Sequence, residues 1–319
     1  MTRDDGGAIR GQTRRADYRR LSHGLYMPVR DEAPPRRAER ELRAIQLVLP
    51  AGSGFTHVTA AWILGWWMPI LPDLLPVFAA GPGIARPRRA GLVFSRLPTM
   101  APVSLSRGLP IVAPAEAILR AARDLALLDL VPMLESALRA GDVDPDALDA
   151  VTASPRPGVR ALREARSWVD TRSESAPETL LRLFHAFADI DVEPQHPIHD
   201  TGGRLIARGD LLVVGTHMVH EYDGEGHGTP RQRAADLRRE RRLLELGYTR
   251  RGFVLEDLVG RSAVTLQELD RAMRRPHRPG RLAWWRRELG LSSYTRAGRQ
   301  RLLNRWLTRS GYTDWARTA

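Results

Sequence analysis

The chain contains no cysteine, which excludes disulfides, zinc–thiolate centres and cysteine nucleophiles. It contains no lysine either, so all 49 basic residues are arginines, the side chain that grips phosphate through a planar, two-pronged fork. Long apolar runs are also missing. The longest, Val58 to Leu71, is too short to cross a bilayer, and Pro69, Pro72, Asp73 and Pro76 break it up. A buried helix is expected there, with no membrane span. The opening MTRDDGGAIRG has no apolar core and does not read as a signal peptide, so a soluble, cytoplasmic protein is expected. No internal repeat is visible.

What is present is enough for two modest domains, or one with appendages: 319 residues, 43% of them hydrophobic. The formal net charge of +12 and a sequence pI near 11.1 favour a polyanionic partner.

Along the first half, DYRRLSHGLYMPV (Asp17 to Val29) reads as a short basic hairpin turning at Gly24. SGFTHVTAAWILGWWMPIL places Thr56 or Thr59 as a cap before an apolar helix whose Trp62 and Trp66 share a face. Leu92 to Leu105 reads as a strand pair. Ile118, Ala121, Ala122 and Leu125 fall at helical spacing, and Pro132 is expected to divide two amphipathic helices. SPRPGVRALREARSWVDTRSES reads as a helix and a linker, with a boundary near Asp170.

The chemistry concentrates between Ser175 and Asp257. SAPETLLRLFHAF opens a helix with Ser175 as N-cap and Glu178 three residues on, a capping-box pattern that by itself explains Glu178. A strand from Gln195 to His199 turns at 200–203 and returns through Arg204 to Val214, carrying Asp210 inside an apolar run. An acid there is costly unless it faces a partner or a metal. The next strand, HMVHEYDG, carries Glu221 and Asp223 on one face and His220 on the other. Acids on adjacent strands with another on the preceding helix form a hard-oxygen set for Mg²⁺ or Mn²⁺, which supports phosphodiester hydrolysis. His227 follows in the loop as a general acid or base, against a bland reading as a backbone-bonded loop histidine. Asp236, Arg239 and Arg242 share one face of the next helix, where the arginines would meet a phosphate and Asp236 would orient them. An ordinary surface ion pair is the alternative. Leu243, Leu244 and Leu246 are expected to pack that helix, and Gly247 to end it.

SAPETLLR, IARGDLLV, VHEYDGEGH and RQRAADLRRERRLLELGYTRRGF together resemble the PD-(D/E)XK restriction-endonuclease-like fold, in the actinobacterial group related to very-short-patch repair endonucleases. The resemblance implies a mixed sheet flanked by helices. It assigns metal binding to Asp210, with Glu221 as second acid and Glu178 as helix acid, and catalytic histidine to the region of His227. Asp223 stands where many superfamily members carry lysine, although the E-x-D-G form is usual in this group. The pieces RLSHGLYMP, HVTAAWILG and GLPIVAPAEAILRAARDLALLDLVPMLESALRAG resemble the abortive-infection antitoxin (AbiEi-like) N-terminal region. That resemblance makes the hairpin the remnant wing of a winged helix whose recognition helices are largely missing, within a mainly helical domain.

Residues 263–319 hold thirteen arginines against four acids, a balance of +9, interleaved with Trp284, Trp285, Tyr294, Trp306, Tyr312 and Trp315. Such a segment suits a nucleic-acid backbone and unpaired bases, or it is a helical appendage packed by its tryptophans.

The sequence therefore predicts an α/β (α+β) architecture in three parts. Residues 1–169 form the AbiEi-like region, 170–262 the endonuclease-like core, and 263–319 a basic helical tail. The leading expectation is a Mg²⁺- or Mn²⁺-dependent endonuclease acting on DNA. The competing one is a non-catalytic DNA-binding or antitoxin-like regulator that keeps the nuclease fold as scaffold. A toxin–antitoxin or defence partner follows from the N-terminal resemblance alone.

Overall fold

The computed structural model describes residues 2–3, 7–13, 16–83, 87–97, 103–224 and 230–310, with backbone only for 2–3 and 230–236. In chain order the strands are β1 (Thr2–Arg3), β2 (Ile9–Arg10), β3 (Tyr18–Ser22), β4 (Leu25–Pro28), β5 (Gly54–Phe55), β6 (Val77–Gly81), β7 (Leu92–Arg96), β8 (Val103–Ser106), β9 (Leu109–Val112), β10 (Val192–His199), β11 (Leu205–Val213), β12 (Met218–Tyr222) and β13 (Thr249–Phe253). The α-helices are α1 (Pro34–Gln46), α2 (His57–Leu64), α3 (Pro114–Ala121), α4 (Leu127–Arg139), α5 (Pro145–Ala153), α6 (Val159–Ser167), α7 (Ala176–Phe187), α8 (Pro230–Glu245), α9 (Leu255–Val259), α10 (Ser262–Ala272), α11 (Ala283–Leu291) and α12 (Arg296–Ser310). The architecture is mixed α and β, with mixed sheets flanked by helices. Among the described residues no helix is long and apolar enough to cross a membrane.

Two compact units emerge, and neither is continuous in sequence. The first comprises Met1–Leu125, Ala140–Arg163 and Arg299–Ala319; the second comprises Ala126–Arg139 and Glu164–Gly298. The linear division at residues 169 and 262 is thus replaced by an interleaved one, because α4 packs on α7 and the body of α12 packs with the first unit.

The first unit is not mainly helical. It holds a four-stranded sheet in the order β1-β2-β4-β3 and a five-stranded one in the order β7-β6-β5-β9-β8. Strands such as VFAAG and LPIV are short, almost wholly buried and without polar alternation, so periodicity does not distinguish them from buried helix. The basic hairpin forms as β3 and β4, and Gly24 turns it at φ 63°. The Leu92–Leu105 segment is not a strand pair. β7 and β8 lie at opposite edges of the sheet, each bonded to a different neighbour. Pro132 does not separate two helices either. It lies inside α4, and the break falls at residues 122–126. Losing one backbone hydrogen bond at Pro132 is tolerated because nearly the whole helix is buried. Thr56 is the N-cap of α2 by backbone position, while Thr59 Oγ1 instead accepts from the Phe78 N–H at 2.9 Å.

Asp124 ties α12 into this unit. It receives hydrogen bonds from His57 Nε2 at 3.0 Å, Trp306 Nε1 at 3.0 Å, Arg305 Nε at 2.6 Å and Arg309 Nη1 at 2.6 Å. Burial alone would raise its carboxyl. The His57 bond and the Arg309 and Arg305 guanidiniums outweigh burial and hold it well below the usual carboxylate range.

In the second unit the sheet order is β10-β11-β12-β13, antiparallel except for the parallel β12–β13 pair. The β10–β11 turn closes on Asp200, whose Oδ1 accepts from the Gly202 and Arg204 N–H groups, both at 2.9 Å. The described tail tryptophans pack against apolar neighbours. Trp285 is buried against Phe184, and Trp284 stacks on Phe187 with centroids 4.8 Å apart. Trp306 is buried in the first unit. Trp285 and Trp306 therefore offer no stacking surface to bases. Tyr312 and Trp315 lie outside the described residues.

Candidate active site

Helix α7 carries Glu178 to its position. Ser175 caps the helix, its Oγ accepting from the Glu178 N–H at 3.3 Å and donating to Glu178 Oε1 at 2.9 Å. The other carboxylate oxygen receives the Glu174 N–H at 2.8 Å and the Gln195 side-chain amide at 2.9 Å. One turn further on, α7 is anchored from below by Glu135 of α4, fully buried in the same unit. Glu135 accepts from Arg182 Nη2 at 2.6 Å, from the Asp170 N–H at 2.7 Å and from the Thr179 hydroxyl. The capping box therefore does more than end the helix. It fixes Glu178 while Gln195 ties it to the sheet.

The sheet supplies the other acids. β11 pairs Leu211 with His220 and Leu212 with Val219, so the next step of that register sets Asp210 opposite Glu221. Glu221 in turn pairs with Gly252 of β13. On the other side, Gln195 lies between the pairs Pro194–Leu211 and His196–Gly209, opposite Asp210. Gln195 has φ 56°, a left-handed backbone that is strained for a non-glycine residue by about 1–3 kcal/mol and recurs at functional sites. A row Gln195–Asp210–Glu221–Gly252 thus crosses all four strands. Gly252 has a clear steric reason, because a Cβ there would collide with the Asp223 carboxylate.

The charges in the row differ in kind. Among the described residues Asp210 accepts one hydrogen bond, from the Tyr222 N–H at 3.0 Å, and forms no ion pair. Burial, with the Glu178 and Glu221 carboxylates nearby, pushes it up to about 6. Glu221 is the opposite case. Its side chain is 6% exposed and both oxygens are held by arginines, Arg239 Nη2 at 2.5 Å and Arg250 Nε at 2.5 Å. Arg250 also pairs with Asp223, which is exposed. A cavity of about 250 Å³ lined by Asp223, Arg239, Glu240 and Arg250 opens beside this cluster.

Carboxylate oxygens at Asp210 and Glu178 are the donor type that a hard divalent cation takes. Asp210 is a half-buried carboxyl crowded by two like charges and lacking a cationic partner, the environment that such an ion relieves. The fit is incomplete at Glu221, where two guanidiniums already stand. Among the described residues no three histidine, aspartate or glutamate side chains converge closely enough to share an ion.

The structure thus brings Glu178, Asp210, Glu221 and Asp223 to one region of the sheet. His227 lies outside the described residues, as does the Asp236 side chain. Arg239 joins the cluster, and its Nη2 also donates to the Arg208 carbonyl at 2.8 Å. Arg242 is exposed on α8. Leu243 is buried as expected, but Leu244 is 59% exposed and does not pack the helix. Gly247 follows α8 at φ 80°.

His220 faces away from the acids, as strand alternation requires. It meets His185 of α7 at 2.8 Å in the buried layer beneath the sheet. His185 Nδ1–H donates to the Leu181 carbonyl, so its Nε2 accepts from His220 Nδ1–H and both rings are neutral. Burial pushes both below the usual imidazole range, His185 to about 4. Sequence reasoning missed Gln195 and Arg250. The alternation in Thr249–Phe253 could have flagged Arg250, but no local signal marks the left-handed Gln195.

Comparison with known proteins gives two curated relatives, the uncharacterized proteins MT2308 and Rv2248 of Mycobacterium tuberculosis (strains CDC 1551 and H37Rv). Each is similar at 32% identity over 168 residues, covering 50% of this chain. The match spans 62% of the length of each relative. No protein-family profile matches the chain, and no solved structure matches it.

Proposed function

We propose that the second unit is a divalent-metal-dependent DNA endonuclease with a PD-(D/E)XK fold of the very-short-patch-repair-like group. The observation that carries this reading is the cross-strand placement of Asp210 opposite Glu221, with Glu178 tied to the same row through Gln195. The order α7, β10, β11, β12, α8, β13 supports it. Asp210, Glu221 and Glu178 would hold Mg²⁺ or Mn²⁺ once Arg239 and Arg250 release Glu221 and the three carboxylates draw closer together. Bound there, the ion polarises the phosphoryl oxygen and lowers the pKa of the attacking water.

The chain's own residues supply the rest. Asp210 has one oxygen fixed by the Tyr222 N–H, and its second oxygen has no hydrogen-bond partner among the described residues. Gln195 orients Glu178. Arg239 and Arg250 are partly exposed guanidiniums that can turn from Glu221 to a phosphodiester. Arg242 adds positive charge on α8, Asp236 orients the arginines, and His227 serves as general acid or base.

Incubation with supercoiled plasmid and Mg²⁺ or Mn²⁺ tests this reading. Wild-type protein is expected to nick, while Asp210→Ala and Glu221→Ala are expected not to. Equal nicking by all three, or none by any, ends the catalytic reading.

One observation favours a second reading. Glu221 is saturated by two arginines, which suits a non-catalytic DNA-binding or antitoxin-like regulator with the acids serving as internal counterions. Under that reading a toxin–antitoxin or defence partner replaces DNA hydrolysis.

A further inference from the structure

The first unit contains a cluster of arginines that the carboxylate site does not use. A cavity of about 190 Å³ is lined by Arg96, Arg120, Arg123 and Arg156 together with Leu119 and Pro157. It is smaller than the roughly 300–1,000 Å³ of pockets that enclose whole small molecules, so it suits a charged group rather than a metabolite. Among the described residues Glu116 is the acid that pairs with these arginines, while Asp124 acts on Arg123 without bonding to it. Glu116 takes Arg156 through two bonds, at 2.5 and 2.6 Å, and also pairs with Arg120. Arg120 is further fixed by donating to Ser95 Oγ at 3.2 Å and to the Arg96 carbonyl at 3.0 Å.

Arg120 and Arg156 are therefore structural, and they form a rigid cationic wall. Arg96 and Arg123 differ from them. Both are exposed, and among the described residues neither guanidinium has a hydrogen bond or an ion pair. Arg123 also lies in the positive field of its neighbours: burial, then Arg309, Arg120 and Arg305, lower its affinity for a proton, and Asp124 offsets this only in part. Arg309 lines a neighbouring cavity with Arg88 and Arg89, so the cationic surface extends beyond one pocket. Planar guanidiniums with open forks, in excess over acids, match a phosphodiester oxygen pair.

We propose that Arg96 and Arg123, backed by Arg120 and Arg156, form a phosphate-binding site in the first unit that docks the sugar–phosphate backbone of a nucleic acid without reading its sequence. Interactions of this kind position a duplex and carry the salt dependence of binding.

The test measures anisotropy of a short fluorescein-labelled DNA duplex with the full-length protein, in EDTA throughout. Cleavage then plays no part, and the outcome does not depend on the carboxylate site. Replacing Arg96 and Arg123 together by alanine removes the two open forks and leaves the Glu116 bonds intact. Circular dichroism and the melting midpoint check that the fold is retained. The expected result is binding weaker by roughly tenfold at low salt, with the slope of log K against log salt reduced by about 1 for each phosphate that is no longer neutralised. The paired Arg96→Lys and Arg123→Lys variant is expected to keep most of the slope and part of the affinity. Unchanged affinity and slope in a folded alanine variant would overturn the site. Two other results overturn the nucleic-acid assignment. One is saturable binding of inorganic phosphate, abolished by the alanine pair while duplex binding stays unchanged. The other is poly-glutamate binding as tightly as the duplex at equal charge.

Discussion

Glu221 and Arg239 close a 2.5 Å bridge from β12 to α8, and Arg250 of β13 takes the second oxygen of the same carboxylate. One nearly buried acid thus joins two strands and a helix. Removing one partner leaves its charge only half compensated. Arg239→Ala is expected to lower stability by roughly 1–3 kcal/mol in EDTA, less than for a fully buried pair because Arg239 is 37% exposed. If a divalent cation binds at these acids, added Mg²⁺ or Mn²⁺ recovers part of that loss. Thermal melts of wild type and variant with and without the ion measure both effects, and an identical loss in the two conditions contradicts ion binding at Glu221.

Asp210 gives a pH signature. Its folded value of about 6 lies above the ordinary carboxylate value, so the folded state holds the proton more tightly than the unfolded chain. The penalty for ionising it is absent below about pH 4, grows as pH rises, and is complete above about 6. Asp210→Asn removes that penalty. The variant should match wild type near pH 4 and melt higher by about pH 7. A difference that shrinks as pH rises has the wrong sign and refutes the assignment.

Gly252 is distinguished by its neighbour rather than by its backbone angle. A methyl group there meets the Asp223 carboxylate that Arg250 holds. Gly252→Ala should displace the exposed Asp223 carboxylate and loosen its pair with Arg250, at a cost of no more than about 1 kcal/mol. If Asp223→Ala in the same chain relieves that cost in denaturant unfolding, the clash is the cause; additive losses exclude it.

Glu135 sits under α7 with Arg182, Thr179 and the Asp170 N–H as its partners. Glu135→Ala leaves Arg182 buried with only the Trp168 carbonyl, which it reaches at 2.7 Å. The expected cost is roughly 3–5 kcal/mol in urea unfolding. Hydrogen exchange should rise along α7, including at Glu178. Full protection of α7 in the variant would show that α4 is not its anchor.

Features that depend on near neighbours in the chain were legible in its residues. The Ser175–Glu178 capping box, the β10–β11 turn at Asp200, the hairpin at Gly24 and the shared face of Glu221 and Asp223 all rest on separations of two to four residues. Backbone geometry enforces such spacings whatever packs around them. The absence of an apolar run long enough to span a membrane was legible in the same way.

Tertiary structure alone decided the rest. No local pattern shows that α4 belongs with α7, that β7 and β8 are opposite edges of one sheet, or that Trp285 and Trp306 are buried rather than free to stack. Nor does any mark Gln195 as the residue that ties Glu178 to the row, and the alternation that singles out Arg250 does not say that it neutralises Glu221. The physical reason is register. Which residue faces Asp210 or Glu221 depends on how strands distant in sequence align, and on charges that become neighbours only once the strands are aligned.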